Sequence, residues 1–387
     1  MATSLMNDTR KRTVAPVSSL DVLAYEVPTD GPDGKESDGT LEWDSTTCIV
    51  VRATAGGHTG LGYTYGNIAV AQVIDSKLAG LVLGSDPLSP PAVWQTMFQQ
   101  LRNAGRSGAV AMAISAVDVA LWDLRARILG QPLFKTLPAF HDGVPVYGSG
   151  GFCNYPLDRL VDQLSGWVKE GIPRVKMKTS RHPDQDPARL AAVRHAVGDD
   201  TELLTDANGA YSRKQALYWS QRFAEQFGVS WLEEPVSSDD VAGLAMVRAH
   251  GPGGLDVAAG EYGFVLADFA RWVDAGAVDC LQADVTRCGG ITGLLQVAGL
   301  SATHQIDLSA HCAPALSAHA FCAVQQLRHL EYFHDHVRIE SMLFDGTLRP
   351  EAGVLYPDPD APGHGLTLRS ADAQQFQVHS RQHSDAA

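Results

Sequence analysis

The sequence predicts a (β/α)8-type barrel joined to a smaller α+β domain. From Val144 onward, eight short apolar runs alternate with amphipathic stretches of helical period, which is the pattern of repeated βα units. Before that point strand patterns come first and helical patterns follow, an order typical of an α+β domain. The length of 387 residues, of which 45% are hydrophobic and 19% charged, suits a globular protein built from one large barrel and an addition.

The α+β domain is predicted over residues 17–140, after a flexible N-terminus at residues 1–16. Its strands are expected at Ser19–Tyr25, Thr46–Ala55 and His58–Tyr65, and its helices at Asn67–Leu81, Pro91–Arg102 and Gly108–Leu129. In the last helix apolar residues recur at spacings of three and four, and Gly130 and Pro132 follow as stop signals. The loop Thr29–Glu42 is rich in Asp and Gly and is long enough to be functional or disordered.

The barrel is predicted over residues 141–335. Its strands are expected at Val144–Gly148, Arg174–Lys178, Glu202–Asp206, Ser230–Glu233, Val257–Glu261, Cys280–Ala283, Asp307–His311 and His329–Tyr332. Helices between them are expected at Leu157–Glu170, Asp186–Val197, Arg213–Phe227 and Ala267–Ala275. Residues 336–370 then form a C-terminal segment with a short strand at Gly365–Arg369, and residues 371–387 a flexible tail.

A charged or polar residue closes each barrel run after the first, at intervals of 20 to 28 residues. These residues are Lys178, Asp206, Glu233, Glu261, Asp284, His311 and Glu331. The active site of such a barrel lies at the C-terminal ends of its strands. The series therefore predicts a catalytic face.

Three of these residues are carboxylates on consecutive strands: Asp206, Glu233 and Glu261. Ligation by oxygen atoms alone suits Mg²⁺, or Mn²⁺ as a substitute, better than zinc. Any one of them could be a solvated acid at the start of a loop, but the shared position favours a metal site. Asn208 lies on the same strand face as Asp206 and could orient a ligand. Glu234 is expected to face the other way, as a helix cap or in a salt bridge.

Lysine and histidine supply groups that can move protons. Lys176 and Lys178 share one face of their strand, and Lys178 and His311 are expected on opposite sides of the barrel mouth. Asp284 neighbours His311 and can fix the tautomer of its imidazole. We expect Lys176 and a nearby cation to lower the pKa of Lys178, so that it can act as a base.

This set of groups fits removal of a proton next to a carboxylate. The enediolate dianion that results needs a divalent cation and ammonium groups to stabilise its charge. Two bases on opposite faces then permit either racemisation or loss of a β-leaving group.

Several motifs in this order resemble the enolase superfamily, mandelate racemase subgroup, over Leu20 to Arg369. They are Lys-Met-Lys (176–178), Thr-Asp-Ala-Asn (205–208), Trp-Leu-Glu-Glu-Pro (231–235), Gly-Glu (260–261), Ala-Asp-Val-Thr-Arg-Cys-Gly-Gly-Ile-Thr (283–292), His311, His-Leu-Glu (329–331) and the helix Ala113–Leu133. The resemblance implies a modified TIM barrel with an α+β capping domain formed by the N-terminal region and the C-terminal segment. It also implies that the loop Thr29–Glu42 is a mobile specificity loop.

The resemblance also implies roles for the site residues. Asp206, Glu233 and Glu261 bind Mg²⁺, and Lys178 and the His311–Asp284 dyad are the two acid/base groups. Lys176 and Glu331 hold the carboxylate of the substrate. The implied activity is that of a lyase of acid-sugar catabolism, which dehydrates an aldonate or aldarate to a 2-keto-3-deoxy acid. Racemisation or epimerisation of a 2-hydroxy acid is the alternative, and the expected partners are a small carboxylate and further copies of the chain.

Composition excludes other classes of protein. The formal charge of −14 argues against nucleic acid as a partner, because phosphate binding needs a basic surface. The six cysteines form no C-x-x-C pair, which fits a reduced cytoplasm. No secretory signal is expected at the N-terminus, and no apolar run is long enough to suggest a membrane span.

Three competing interpretations carry less weight. The glycine-rich stretches 60–66 and 148–151 lack the spacing or the following residues of a nucleotide-binding loop. A zinc hydrolase of the barrel type would need H-x-H on the first barrel strand, and Val144–Gly148 has no histidine. A non-catalytic member of the fold would be expected to have lost a ligand or a base, and all of them are present in this chain.

Overall fold

The computed structural model describes residues 14–384, and its first five strands lie in the capping domain. They are β1 (Ser19–Pro28), β2 (Glu36–Ser37), β3 (Glu42–Trp43), β4 (Ser45–Ala55) and β5 (His58–Tyr65). β1, β4 and β5 are adjacent and antiparallel, which confirms the three predicted strands. β2 and β3 pair as a small hairpin inside the loop 29–42, so this part of the loop has its own hydrogen-bonded structure.

Helices of the capping domain cover one face of this sheet. They are α1 (Ala69–Val73), α2 (Ala79–Val82), α3 (Pro90–Gln100) and α4 (Ala109–Ile128), with a π-helical turn at Ile74–Leu78 between the first two. α4 lies directly on β5 because Gly60 and Gly62 present no side chain there. A Cβ atom at Gly60 would lie 2.2 Å from the carbonyl oxygen of Ala120, and one at Gly62 would lie 2.3 Å from that of Ala116.

Eight parallel strands form a closed barrel, as predicted. They are β6 (Val144–Gly150), β7 (Arg174–Lys178), β8 (Glu202–Asp206), β9 (Val229–Glu233), β10 (Asp256–Ala259), β11 (Cys280–Ala283), β12 (Asp307–Ala310) and β13 (Leu327–Phe333). Each strand pairs with the next, and β13 pairs with β6 to close the ring. β10 and β12 end before Glu261 and His311, so these two residues lie just beyond the strands in which we expected them.

Helices follow the barrel strands in turn. They are α5 (Leu157–Lys169), α6 (Asp186–Val197), α7 (Arg213–Phe227), α8 (Val241–His250), α9 (Leu266–Asp274), α10 (Gly290–His304), α11 (Pro314–Ala320) and α12 (His334–Leu343). Tyr147, Leu204, Trp231, Ala258 and Cys280 form a buried cluster of their own, apart from the main core. Leu204 and Trp231 each lie two positions before a predicted metal ligand. Because side chains alternate along a strand, Asp206 and Glu233 lie on the same strand faces as these two core residues.

The C-terminal segment returns to the capping domain. It contains β14 (Phe344–Asp345), β15 (Val354–Leu355), β16 (Thr367–Leu368), α13 (Ser370–Ala373) and β17 (Gln377–Ser384). β15 pairs with β6, β14 pairs with β16, and β17 pairs antiparallel with β1 at the edge of the capping sheet. The strand expected at Gly365–Arg369 is shorter than predicted.

We predicted a flexible tail at residues 371–387, and this prediction is wrong for the residues up to Ser384. β17 is a polar strand, and its sequence, Gln-Val-His-Ser-Arg-Gln-His-Ser, lacks the apolar alternation that predicts a strand. Its backbone hydrogen bonds to β1, and His379 and His383 both contact the buried carboxylate of Asp75. Residues 1–13 and 385–387 lie outside the described part of the chain, and they include most of the N-terminus that we predicted to be flexible.

Between residues 14 and 384, none of the helices combines the length and the hydropathy that a bilayer crossing requires.

Candidate active site

The lysine pair of β7 lies at the centre of the polar groups in the barrel mouth. Lys176 is fully buried, and its Nζ lies 2.8 Å from Oε1 of Glu331 and 3.7 Å from Oδ2 of Asp206. The same ammonium group forms an ion pair with Glu233. Lys178 forms an ion pair with Asp206. Both ammonium groups therefore point into the barrel, as alternation along the strand requires.

The three carboxylates expected to bind metal come together. Oxygen atoms of Asp206, Glu233 and Glu261 all lie within 4.8 Å of one another, and all three residues are buried. Oε1 of Glu233 is buried and has no hydrogen-bond partner among the described residues. Buried anions at this spacing repel one another unless a cation lies between them. Three carboxylates suit a hard divalent ion, so the donor set fits Mg²⁺.

Glu261 reaches the cluster from the loop after β10, and a glycine makes this possible. Gly260 has a φ of +139°, a conformation that L side chains rarely adopt. A Cβ atom there would also lie 2.1 Å from the carbonyl oxygen of Gln282. The Gly-Glu pair at 260–261 therefore turns the chain at close approach to β11.

His311 and Asp284 form the expected dyad. Nδ1 of His311 donates a hydrogen bond to Oδ2 of Asp284 at 2.8 Å. Asp284 is itself fixed, because its Oδ1 accepts hydrogen bonds from the backbone N–H and the hydroxyl of Thr286, each at 2.7 Å. Nε2 of His311 lies 3.1 Å from Oε2 of Glu261, so this nitrogen faces the carboxylate cluster. The dyad thus fixes the ring and leaves Nε2 to exchange a proton.

Glu331 lies between the lysine pair of β7 and the part of the site that contains His311. Its Oε1 accepts hydrogen bonds from Lys176 and, at 2.6 Å, from the hydroxyl of Ser149. Sγ of Cys312 lies 3.3 Å both from Oε2 of Glu331 and from Nε2 of His311. No pattern in the sequence pointed to Ser149 or Cys312 as site residues. The position of Cys312 immediately after His311 is the only sequence signal that could have identified it.

The charges of the site shift the pKa values of the proton-transfer groups. Burial lowers the pKa of Lys178, and so does Lys176, but the carboxylate of Asp206 outweighs both and holds it well above its usual value. We expected a lowered pKa for Lys178 next to a bound cation, and this stays a prediction, because the charge that dominates among the side chains themselves is the anion of Asp206. Burial likewise lowers the pKa of His311, while Cys312, Glu261, Glu331 and Asp284 raise it well above the usual value.

Glu234 does not face away from the site, contrary to our expectation. It is buried, and burial together with the charges of Glu261, Asp206 and Glu233 raises its pKa well above the usual value. Its φ of 39° shows that the strand alternation stops at Glu233, since a left-handed residue turns its side chain out of the extended register.

Asn208, with a φ of 46°, donates its backbone N–H to Oδ1 of Asp206 at 2.8 Å. Oδ1 of Asn208 is buried and unpartnered within residues 14–384.

A cavity of about 710 Å³ lies between the barrel mouth and the capping domain. The barrel contributes Lys178, Asn208, Glu261, Tyr262, Arg287, His311, Cys312, Glu331, Phe333, Asp335 and His336, and the capping domain contributes Glu26, Asp38, Leu41, Glu42, Trp43, Ser45, Thr46, Thr47, Tyr65, Gly66, Asn67 and Met112. The loop 29–42 therefore forms part of the wall. Its backbone carbonyls at Asp38 and Leu41 accept hydrogen bonds from Arg181 on the barrel.

Two cavity residues that sequence analysis missed are ordered by contacts from other elements. Arg287 lies 3.4 Å from Oδ2 of Asp284 and 3.8 Å from Oε1 of Glu261. Nδ1 of His336 accepts a hydrogen bond from the backbone of Ala313, so the ring carries its proton on Nε2. Burial lowers the pKa of His336 to about 3, which keeps the ring neutral.

Two family models match the chain in the order of its domains. Residues 35–137 match the mandelate racemase / muconate lactonizing enzyme N-terminal domain, and residues 159–373 match the enolase C-terminal domain-like family. Among curated proteins, the chain is 34% identical over 322 residues to the 3,6-anhydro-alpha-L-galactonate cycloisomerase of Streptomyces coelicolor. This match covers 81% of this chain and 86% of that protein. It is 33% identical to the L-talarate/galactarate dehydratase of Salmonella typhimurium, over 81% of this chain and 78% of that protein.

Solved structures show the same relationship. A mandelate racemase/muconate lactonizing enzyme-like protein from Rubrobacter xylanophilus is 61% identical, with a TM-score of 0.92, and the match covers 94% of this chain and 100% of that one. The L-talarate/galactarate dehydratase from Salmonella typhimurium, liganded with Mg and L-lyxarohydroxamate, is 28% identical with a TM-score of 0.87, over 100% of this chain and 99% of that one.

Proposed function

The chain belongs to the mandelate racemase subgroup of the enolase superfamily, and from this premise we propose that it is a Mg²⁺-dependent lyase that dehydrates a sugar acid to a 2-keto-3-deoxy acid. One observation carries the proposal. Lys178 and His311 line a single cavity with Glu261, next to a cluster of three buried carboxylates. Solved relatives that contain magnesium, and relatives named as sugar-acid dehydratases, support it.

We assign Asp206, Glu233 and Glu261 as the residues that hold Mg²⁺. Bound there, the ion supplies positive charge that stabilises an enediolate, and Mn²⁺ can replace it. Lys176 holds the substrate carboxylate from one side. Glu331 accepts hydrogen bonds from Lys176 and Ser149, so it fixes the direction in which the Lys176 ammonium group points.

The reaction begins with the transfer of the α-proton to Lys178. Lys178 must be neutral for this step, and a cation held by Asp206 would offset the carboxylate charge that otherwise keeps the lysine protonated. The C–H bond breaks, and its electron pair enters the enediolate. As the enediolate collapses, the bond from C3 to its hydroxyl breaks, and His311 donates a proton from Nε2 so that water leaves. The enol that remains tautomerises to the 2-keto-3-deoxy acid. Asp284 stabilises the charged imidazole before this donation.

The charge of the cavity wall favours an aldonate over an aldarate. The residues that the capping domain contributes to the cavity are neutral or acidic, with carboxylates at Glu26, Asp38 and Glu42, of which Glu42 is paired with Lys35. Arg287, on the barrel side, already pairs with Asp284 and Glu261. A second substrate carboxylate directed at the capping domain would meet like charges, whereas hydroxyl groups would find hydrogen-bond partners.

Racemisation or epimerisation of a 2-hydroxy acid is the second candidate. The observation in its favour is that Lys178 ends β7 and His311 directly follows β12, and these two strands are far apart around the ring of the barrel. An α-carbon between them could lose a proton to one group and gain a proton from the other. The two candidates differ in product, because only dehydration releases a keto acid.

A library of mono- and diacid sugars, tested with Mg²⁺ and chelator-treated enzyme, separates these outcomes. We expect keto-acid formation with aldonates, and its loss when Mg²⁺ is withheld. Exchange of the α-proton with D2O without keto acid would support the racemase candidate. If no acid in the library gave either exchange or keto acid, the proposed function would be wrong.

A further inference from the structure

A second group of side chains with possible metal ligands lies beside the candidate active site, where the loop 29–42 meets the barrel, and one of them, Asp335, also lines the cavity. We call it the loop cluster, and it consists of Asp30 and Glu36 from the loop and of His334 and Asp335 from the start of α12. Ligand atoms of Asp30, Glu36 and His334 lie within 4.8 Å of one another. The cluster joins two parts of the chain that are separated by about three hundred residues.

Two oxygen atoms of the loop cluster are buried without a partner among the described residues. Glu36 is 0% exposed, and its Oε1 accepts a hydrogen bond from the hydroxyl of Tyr155 at 2.9 Å, but Oε2 has no donor. Asp335 is 1% exposed, and its Oδ2 accepts a hydrogen bond from Nε1 of Trp43 at 3.3 Å, but Oδ1 has no donor. Leaving buried carboxylate oxygens unsatisfied is costly.

The β2–β3 hairpin links the two carboxyl groups, because Glu36 pairs with Trp43 across the hairpin and the indole of Trp43 donates to Asp335. Two buried carboxyl groups with unpartnered oxygen atoms need either a shared proton or a cation between them. Other charged groups nearby bind Asp30: Nη2 of Arg159 lies 3.1 Å, and Nε2 of His334 lies 3.0 Å, from its Oδ1. Within residues 14–384 neither Glu36 nor Asp335 forms an ion pair, so a divalent ion would match their combined charge.

We propose that the loop cluster is a second divalent-cation site, which fastens the loop 29–42 over the active-site cavity. The donors include one imidazole as well as carboxylates, so the site suits Zn²⁺ or Mn²⁺ better than the all-oxygen set of Asp206, Glu233 and Glu261 does. The loop carries the cavity residues Asp38, Leu41 and Glu42. A cation in the loop cluster therefore holds the cavity in its covered form.

Equilibrium dialysis of the chelator-treated full chain against Mn²⁺ tests this proposal without any measurement of turnover. We expect two Mn²⁺ ions per chain in the wild type and one in Glu36→Gln, which keeps the size of the side chain and removes its charge. Asp33→Asn is the matched control, because Asp33 is an exposed acid of the same loop and Asn tolerates its φ of 55°. This control should still bind two ions.

Two further variants, one in the loop cluster and one in the carboxylate cluster of the active site, tell the two metal sites apart. His334→Gln should also reduce the count to one, and it provides an independent result if Glu36→Gln does not fold. Glu233→Gln should weaken the other site and leave the Mn²⁺ ion of the loop cluster in place, so failure of the proposed function can be told apart from failure of this inference.

Hydrogen–deuterium exchange of loop amides supplies a structural readout. Mn²⁺ should slow exchange across residues 29–42 in the wild type and in Asp33→Asn, but not in Glu36→Gln. The proposal is overturned if the wild type binds a single ion that only Glu233→Gln removes, or if Glu36→Gln still binds two. It is also overturned if Glu36→Gln raises thermal stability while the Mn²⁺ count stays unchanged, since Glu36 and Asp335 then share a proton.

Discussion

At the scale of single residues, the alternation of side chains along β7 decides which charges meet. Lys176 and Lys178 are two positions apart, so both ammonium groups enter the barrel, where Glu331 and Asp206 are their partners. The same rule directs Asp206 and Glu233 inward above Leu204 and Trp231. It fails at Glu234, because a positive φ ends the extended backbone.

The proposed acid/base groups can be removed one at a time. Lys178→Ala and His311→Asn should each reduce kcat by about 10² to 10⁴ or more, since general acid–base catalysis contributes factors of this size. Circular dichroism and thermal melts should show a folded protein in both cases. Lys214→Ala, at an exposed position at the start of α7, is the control and should keep full activity. Full activity in Lys178→Ala or in His311→Asn would exclude the assigned base.

The metal assignment is tested by an isosteric change. Glu233→Gln replaces a carboxylate oxygen of the cluster by an amide nitrogen, so it should weaken Mg²⁺ binding by at least about tenfold. Titration calorimetry on chelator-treated protein measures this directly. Unchanged affinity would transfer the ligand role to Glu234, which is buried beside the cluster.

At the scale of secondary-structure elements, the contact between β5 and α4 depends on two glycines. Because Gly62 has no side chain, the backbone of α4 can approach the sheet closely. Gly62→Ala should therefore destabilise the fold by about 1 to 3 kcal/mol, the usual cost of overpacking. The measurement is urea unfolding of the full chain.

Gly80→Ala is the matched control for this change. Gly80 lies in α2, and an added Cβ would meet no atom within 4 Å. We expect this variant to be as stable as the wild type or more stable by roughly 0.5 to 1 kcal/mol, because alanine favours the helix over glycine. Equal loss in both variants would show that close packing on β5 is not what makes Gly62 necessary.

At the scale of the whole molecule, buried acids join the capping domain to the barrel. Asp118 on α4 accepts hydrogen bonds from the hydroxyl and the backbone of Thr292 on α10, and Glu340 on α12 accepts one from Tyr63 on β5. Burial raises the pKa of Asp118 to about 7 and that of Glu340 to about 8. The folded state of the chain is therefore more stable when these two acids are protonated.

This interface predicts a pH dependence of stability with a definite sign. The pKa of Asp118 is higher in the folded state than in the unfolded state. Its contribution to the free energy of unfolding is therefore complete below about pH 4 and is lost as the pH rises through 7. The loss amounts to at most about 4 kcal/mol, at about 1.4 kcal/mol for each pKa unit. Urea unfolding between pH 4 and 8 should show a smaller fall in Asp118→Asn than in the wild type. Parallel curves for the two proteins would contradict the prediction.

Other properties of the whole molecule stay predictions from sequence. They are the domain boundaries, the cytoplasmic location and assembly into a homo-oligomer.

The sequence by itself determined the barrel, the order of its strands and the residues that close them. Period-two and helical patterns depend on local geometry, and parallel strands place their ends at one rim, so Lys178, Asp206 and Glu233 could be grouped without coordinates. The motifs then identified the family.

Only the tertiary structure decided the rest. β17 is polar because the edge of β1, and not an apolar core, holds it in place, so its pattern gave no signal. The direction of Glu234 depends on one left-handed residue, and the pKa of Lys178 depends on its distance from Asp206. Glu36 and Asp335 meet only after the chain has folded back across the barrel. Charges and contacts between distant segments follow from distances in three dimensions, which a linear pattern does not contain.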